Sequence, residues 1–168
     1  MLDSLITSKT RLRLLIKFFL NIANKGYLNG LANEFGESTN SIRKELNNLS
    51  SAGYLEKFSE NNKVVYKANA SHPLFKIIQK IVKKHLGIEE ILETVLKRMG
   101  EVKKIMILGD YAEGIDSGHI EILIIGDKIS KDYLKEITPK IEKKINRNVS
   151  FFVSNSTLKQ KTLTIFEA

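Results

Sequence analysis

The 168-residue chain has no cysteine, no tryptophan and only two prolines, Pro73 and Pro139. Without cysteine it has no disulfide, no thiolate metal site and no cysteine nucleophile. Such a composition fits a reducing compartment, so a cytoplasmic protein is the expectation. Long apolar runs are missing too. No unbroken run exceeds four residues, and the stretch 14–20 is interrupted by Lys17, against the roughly 20 apolar residues a membrane helix needs. The first ten residues carry no basic cluster ahead of an apolar core, so neither a signal peptide nor a membrane partner is expected. Acidic residues are in short supply: 19 Asp and Glu stand against 27 Lys and Arg, a net charge of +8.

The excess is uneven. Residues 1–72 hold 10 basic and 6 acidic side chains, residues 73–100 hold 6 and 3, and residues 101–168 hold 11 and 10. The front of the chain is basic and the back nearly neutral, which points to parts with different tasks. Three regions are expected: 1–72, 73–100 and 101–168.

In the first region Ser8 can cap a helix running to about Asn21, with Leu12, Leu15, Ile16 and Phe19 on its inner face. Asn24-Lys25-Gly26 reads as a turn. Leu28, Leu31, Ala32 and Phe35 repeat the helical template until Gly36, although Gly30 costs up to about 1 kcal/mol there. Ser38 caps a third helix with Ile42, Leu46 and Leu49 on one side and Thr39, Asn40, Ser41, Arg43, Lys44, Asn47 and Asn48 on the other. Ala52-Gly53 ends it. Residues 54–59 and 63–68 read as strands of a hairpin turning at Glu60-Asn61-Asn62.

Helix, helix, short turn, helix, hairpin is the order of a winged helix-turn-helix. The short turn sets the second helix across the third and leaves the third proud, able to enter a major groove of double-stranded DNA. Arg43 can bridge guanine and the Asn side chains adenine. Lys44 and Ser41 can reach phosphates, which position without specifying. Asn61, Asn62 and Lys63 form a polar tip suited to the backbone or minor groove. Two blander readings remain: a three-helix domain with an ordinary solvated face, and a protein–protein module of the same fold.

In the second region His72-Pro73 breaks the chain, and residues 74–86 and 88–99 then read as two helices with broad apolar faces. They carry more apolar surface than a tether needs. They can pack on the flanking parts or form a homodimer, which a reader of palindromic DNA requires.

The third region alternates strand and helix: strands over 103–108, 119–125 and 148–153, a short helix within 109–117 and a longer one over 130–145. Its middle strand is almost wholly apolar and is expected at the centre of a small sheet covered by helices. The tail, Leu158–Ala168, is apolar enough to pack, but the pattern does not give its place. The overall expectation is an α+β chain.

Leu108-Gly109-Asp110-Tyr111-Ala112-Glu113-Gly114, then Gly118-His119-Ile120-Glu121-Ile122, resembles a worn copy of the minimal nucleotidyltransferase motif. There a Gly-Ser turn at a helix start holds triphosphate, and two carboxylates at i and i+2 on a strand bind Mg²⁺. Here Asp110 replaces the Ser, Glu113 the Arg, His119 the first acid and Glu121 the second, and the last strand has no acid. The resemblance therefore implies the fold, with Gly109, Ala112 and Gly114 as its turn residues, and neither catalytic residues, metal nor cofactor. The whole chain, including Tyr66-Lys67-Ala68-Asn69 and His72-Pro73-Leu74-Phe75, is similar to a bacterial family joining an ArsR-like winged helix to a nucleotidyltransferase-like domain. That implies a transcriptional regulator answering to a small-molecule or protein effector. The alternatives are a metal-dependent nucleotidyltransferase using Asp110, Glu121 and Asp116 on a nucleic-acid or protein substrate, and an antitoxin-like partner protein.

Overall fold

The computed structural model describes residues 1–168 as a mixed α+β chain of two compact units, Met1–Val82 and Lys83–Ala168. The division falls inside a helix of the middle region.

The first unit opens with a 3-10 turn, Leu2–Ser4, followed by α1 (Lys9–Leu20), β1 (Gly26–Tyr27), α2 (Leu28–Phe35), α3 (Thr39–Ser51), β2 (Leu55–Glu60) and β3 (Lys63–Ala68). Ser8 caps α1 by accepting from the Arg11 amide, and Ser38 caps α3 by accepting from the Ser41 amide. Gly36 ends α2 at φ 64°, a left-handed conformation that glycine adopts without Cβ strain. Leu14, Phe18, Phe19, Leu31, Ile42 and Leu46 are buried where the three helices meet.

The sheet is antiparallel in the order β1-β3-β2. β1 corrects the reading of Asn24-Lys25-Gly26 as a turn at its Gly26 end: Gly26 pairs with Tyr66 and Tyr27 with Val65. The hairpin closes at Glu60 and Lys63. Asn61 and Asn62 between them both have positive φ, 50° and 60°. That pair of values is the type I′ turn, whose twist matches that of the strands.

The helix α4 (Phe75–Leu86) begins in the first unit, where the Phe75 ring lies against Phe19 at 5.7 Å and the Gln79 amide donates to the Phe19 carbonyl at 3.2 Å. Leu74, Ile77 and Ile81 are exposed along one line of this segment, while Val82 is buried.

In the second unit α5 (Ile88–Leu96) ends three residues earlier than the apolar pattern suggests. It is followed by β4 (Glu101–Leu108), α6 (Gly109–Ala112), β5 (His119–Asp127), α7 (Lys131–Ile145), β6 (Asn148–Ser154) and β7 (Leu163–Glu167). The sheet order is β6-β5-β4-β7, so the apolar β5 is central as expected. The unplaced tail supplies β7, an antiparallel edge strand on β4. Ile105 and Ile107 lie opposite Ile124 and Ile122 on one fully buried face. On the helical side α5 and α7 run together, joined by the Tyr133 hydroxyl, which donates to the Thr94 carbonyl at 2.7 Å. The other face carries a smaller apolar cluster of Met106, Leu108 and Leu123, and His119 and Glu121 share that face by register.

No helix is long and apolar enough to cross a membrane.

Candidate nucleic-acid interface

The orientation of α3 is set by one buried acid. Glu45 lies on its inner side with Ile42, Leu46 and Leu49. It takes the Arg11 Nε–H at 2.8 Å and the Ser8 hydroxyl at 3.1 Å. A buried carboxylate is tolerated only with such partners, so Glu45 fixes α3 against the start of α1. Glu37, just before α3, is likewise held by Thr10 at 2.8 Å and Arg13 at 3.3 Å. With α3 so fixed, Thr39, Asn40, Ser41, Arg43, Lys44 and Asn47 all face solvent. Arg43 donates to Asn40 Oδ1 at 3.0 Å along the helix.

The acids of this unit are all committed elsewhere. Glu34 pairs with Lys17, Glu37 with Arg13, Glu45 with Arg11, Glu56 with Lys67, Glu60 with Lys25, and Asp3 with the N-terminus. The cations left without an acidic partner are Lys9, Arg43, Lys44, Lys57, Lys63, Lys76 and Lys80. Three of these seven, Arg43, Lys44 and Lys63, stand on the outer side of α3 and at the hairpin tip.

A groove of about 380 Å³ joins these two places. Arg43 and Asn47 line it from α3, Lys63 and Tyr66 from β3, Tyr27 from β1 and Asn29 from the start of α2. Tyr27 and Asn29 escape the sequence reading. The Lys63 ammonium sits 4.0 Å from the centre of the Tyr27 ring, a cation–π contact that aims it across the groove. The ring lies flat over Gly30, where a Cβ would come within 2.9 Å of it. This close approach accounts for a glycine in the middle of a short helix. The signal in the sequence was Gly30 itself, three residues after an aromatic. Asn61 and Asn62 are exposed at the turn and outside the groove lining.

The segment from Gly109 to Glu121 is differently disposed. Gly109 opens α6 at φ 60°, and the Glu121 carboxylate lies so close above it that a Cβ there would overlap Oε2. An anion already occupies the approach to the Gly109 turn. Asp110 is exposed, and Gly114 is a buried turn residue with φ 76°. The His119 ring bonds the Ser150 hydroxyl at 2.7 Å, joining β5 to β6.

Two of the acids near this turn are neutralised by partners remote in sequence. Glu113 pairs with Lys161 at 2.9 Å. Asp116 receives Arg147 through both carboxylate oxygens, each at 2.8 Å, and accepts from the Tyr111 hydroxyl. Burial pushes the Asp116 carboxyl up, but the Arg147 and Tyr111 bonds outweigh it and hold it below its ordinary range. Burial, then the bond to Asp116, pushes the Tyr111 hydroxyl well above its ordinary value. Arg147 also donates to the carbonyls of Ile145 at 3.1 Å and His85 at 3.3 Å. The cluster pins the 113–118 loop to the turn before β6 and to the end of α4. No group of three or more His, Asp or Glu side chains is arranged to hold a metal.

Comparison with protein-family models, curated proteins and solved structures returns no match.

Proposed function

We propose that the chain is a sequence-specific, double-stranded-DNA-binding transcriptional regulator that works as a homodimer. In this reading the first unit is a winged helix-turn-helix, α3 is its recognition helix, and the β2–β3 hairpin is its wing. The observation that carries it is the set of unpaired cations Arg43, Lys44 and Lys63, left on α3 and the hairpin while every acid of the unit is paired elsewhere. A phosphate backbone supplies the missing anions, and Arg43, Asn40 and Asn47 are of the types that read base edges. The exposed line Leu74, Ile77 and Ile81 is the apolar surface this reading assigns to dimer contact. A two-fold dimer places its recognition helices about 34–36 Å apart on successive major grooves.

The second unit is read as a nucleotidyltransferase-like domain that senses or binds without catalysis. The Glu121 carboxylate over Gly109 and the commitment of Asp116 to Arg147 favour this over the enzyme. Incubation with labelled nucleoside triphosphates and Mg²⁺ or Mn²⁺ distinguishes the two. Label transfer abolished by Glu121→Ala establishes the enzyme. Titration against genomic DNA fragments tests the main reading. Selective enrichment of a few fragments is expected, and its loss in Arg43→Ala/Lys44→Ala. Unchanged binding by that variant sinks the assigned face.

A further inference from the structure

β6 is an edge strand, and one side of its backbone is open. The Asn148 amide donates to the Gly118 carbonyl at 2.8 Å, so Asn148 points its backbone groups toward β5. Alternation then turns Val149, Phe151 and Val153 outward. The outward Val149 amide is taken by the Glu142 carboxylate of α7 at 2.8 Å. Phe151 and Val153 have no such cap.

The strand also lacks the usual protection of an edge. Asn148-Val149-Ser150-Phe151-Phe152-Val153-Ser154 contains no charge and no proline, the two common devices that discourage pairing with another strand. The edge strand β2, by contrast, carries Glu56, Lys57 and Glu60, and the edge strand β7 meets β4 with a register shift.

A groove of about 610 Å³ runs between the open side of β6 and one stripe of α7. Lys131 and Lys135 stand on that stripe, exposed and without ion-pair partners. α7 runs back along β6, so Glu142 closes the Val149 end and the two lysines stand beside the uncapped Phe151 and Val153.

We propose that this groove binds an extended acidic peptide segment of a partner protein, which adds to β6 as a fifth strand and places carboxylates on Lys131 and Lys135. Main-chain bonds to Phe151 and Val153 supply the pairing, and the lysines supply the preference. Phe152, 46% exposed on the opposite face, meets the apolar side of the incoming strand. A second copy of this chain fits less well: its own β6 is uncharged, and its α7 would bring further lysines to the same place. The proposal gives the second unit its partner and rests only on the reading of that unit as a binding module. DNA binding by the first unit can fail without affecting it, and the reverse holds.

The test uses the full chain and a fluorescein-labelled probe of alternating Glu and Val, eight residues long, followed by anisotropy. Comparison probes replace Glu by Lys, or carry N-methyl groups on alternate amides, which block strand pairing. The Glu probe is expected to bind and both comparisons to fail. Lys131→Glu/Lys135→Glu should weaken the Glu probe by about tenfold, two surface ion pairs' worth, and admit the Lys probe. Val153→Pro removes one outward amide without breaking the ladder to β5 and should also weaken binding. The proposal is overturned if the Glu probe shows no binding to about 1 mM, some 4 kcal/mol of affinity. It is equally overturned if the N-methylated probe binds as well, or if the chain dimerises through β6 and Val153→Pro makes it monomeric.

Discussion

Arg147→Ala removes the centre of the Tyr111–Asp116–Arg147 cluster. Arg147 makes two charge-assisted bonds to Asp116 at 2.8 Å and two more to backbone carbonyls. The side chains are 14% and 25% exposed, so solvent screens the pair only in part. Deleting one partner of a fully buried pair costs about 3–5 kcal/mol because the other charge is left unpaired. The residual exposure brings that down to about 2–3 kcal/mol here. For a unit of this size such a loss lowers the melting temperature by roughly 8–20 °C. Asp116→Asn should cost less, because the amide oxygen still accepts from Arg147. The double variant should cost little more than Arg147→Ala alone, since both act on one interaction. Urea denaturation of the four proteins, followed by a probe in the second unit, gives the cycle. A loss under about 0.5 kcal/mol for Arg147→Ala, or simple additivity of the two changes, refutes the pinning role.

The same cluster makes the second unit pH-sensitive at both ends. Asp116 is held below its ordinary value in the folded state, so its contribution is present above the unfolded value near pH 4 and lost as pH falls through the folded one. Tyr111 is raised, so its contribution holds below about pH 10 and disappears above it. Stability measured against pH should lose its acid limb in Asp116→Asn and its alkaline limb in Tyr111→Phe. If neither variant alters the profile, the assignment is wrong. Gly109→Ala should cost about 1–3 kcal/mol from the positive φ, plus the overlap with Glu121. Adding Glu121→Ala should recover the overlap and leave the φ cost; no recovery in thermal melts contradicts the placement of the carboxylate. Gly30→Ala should raise helix stability by up to about 1 kcal/mol while displacing the Tyr27 ring and freeing Lys63. Its expected signature is an unchanged or higher melting temperature with weaker DNA binding, and undiminished binding argues against the Tyr27–Lys63 contact.

Much of this chain is legible from its sequence because its signals are local. Ser8 and Ser38 announce their helices by capping chemistry that needs only three residues. The apolar run of β5 announces a central strand. Gly36 marks the end of α2 because the backbone there is left-handed. What escapes depends on remote partners. β1 is two residues long and exists only through Tyr66 and Val65, some forty positions later. β7 has an ordinary half-apolar pattern, and only pairing with β4 makes it a strand. Tyr27 has no readable role until Lys63 and Gly30 are seen around it. Asp116 reads as a candidate residue of a metal-dependent enzyme, yet Arg147 neutralises it across 31 positions. The outward face of α3 was visible from periodicity. That its cations are uncompensated was not, since it follows from where six acids find their partners.

The dependence of DNA affinity on salt is the sharpest check on DNA binding through α3 and the hairpin tip. Each phosphate contact contributes about 0.9 to the slope of log K against log salt on duplex DNA. Replacing Arg43, Lys44 and Lys63 together by Ala should lower the slope by about 2–3 per bound chain, with the fold intact because all three side chains are exposed. Replacing the unpaired Lys9 and Lys57 in the same way should change it less. An unaltered slope in the triple variant, or no measurable binding of the parent chain to duplex DNA at low salt, contradicts the account.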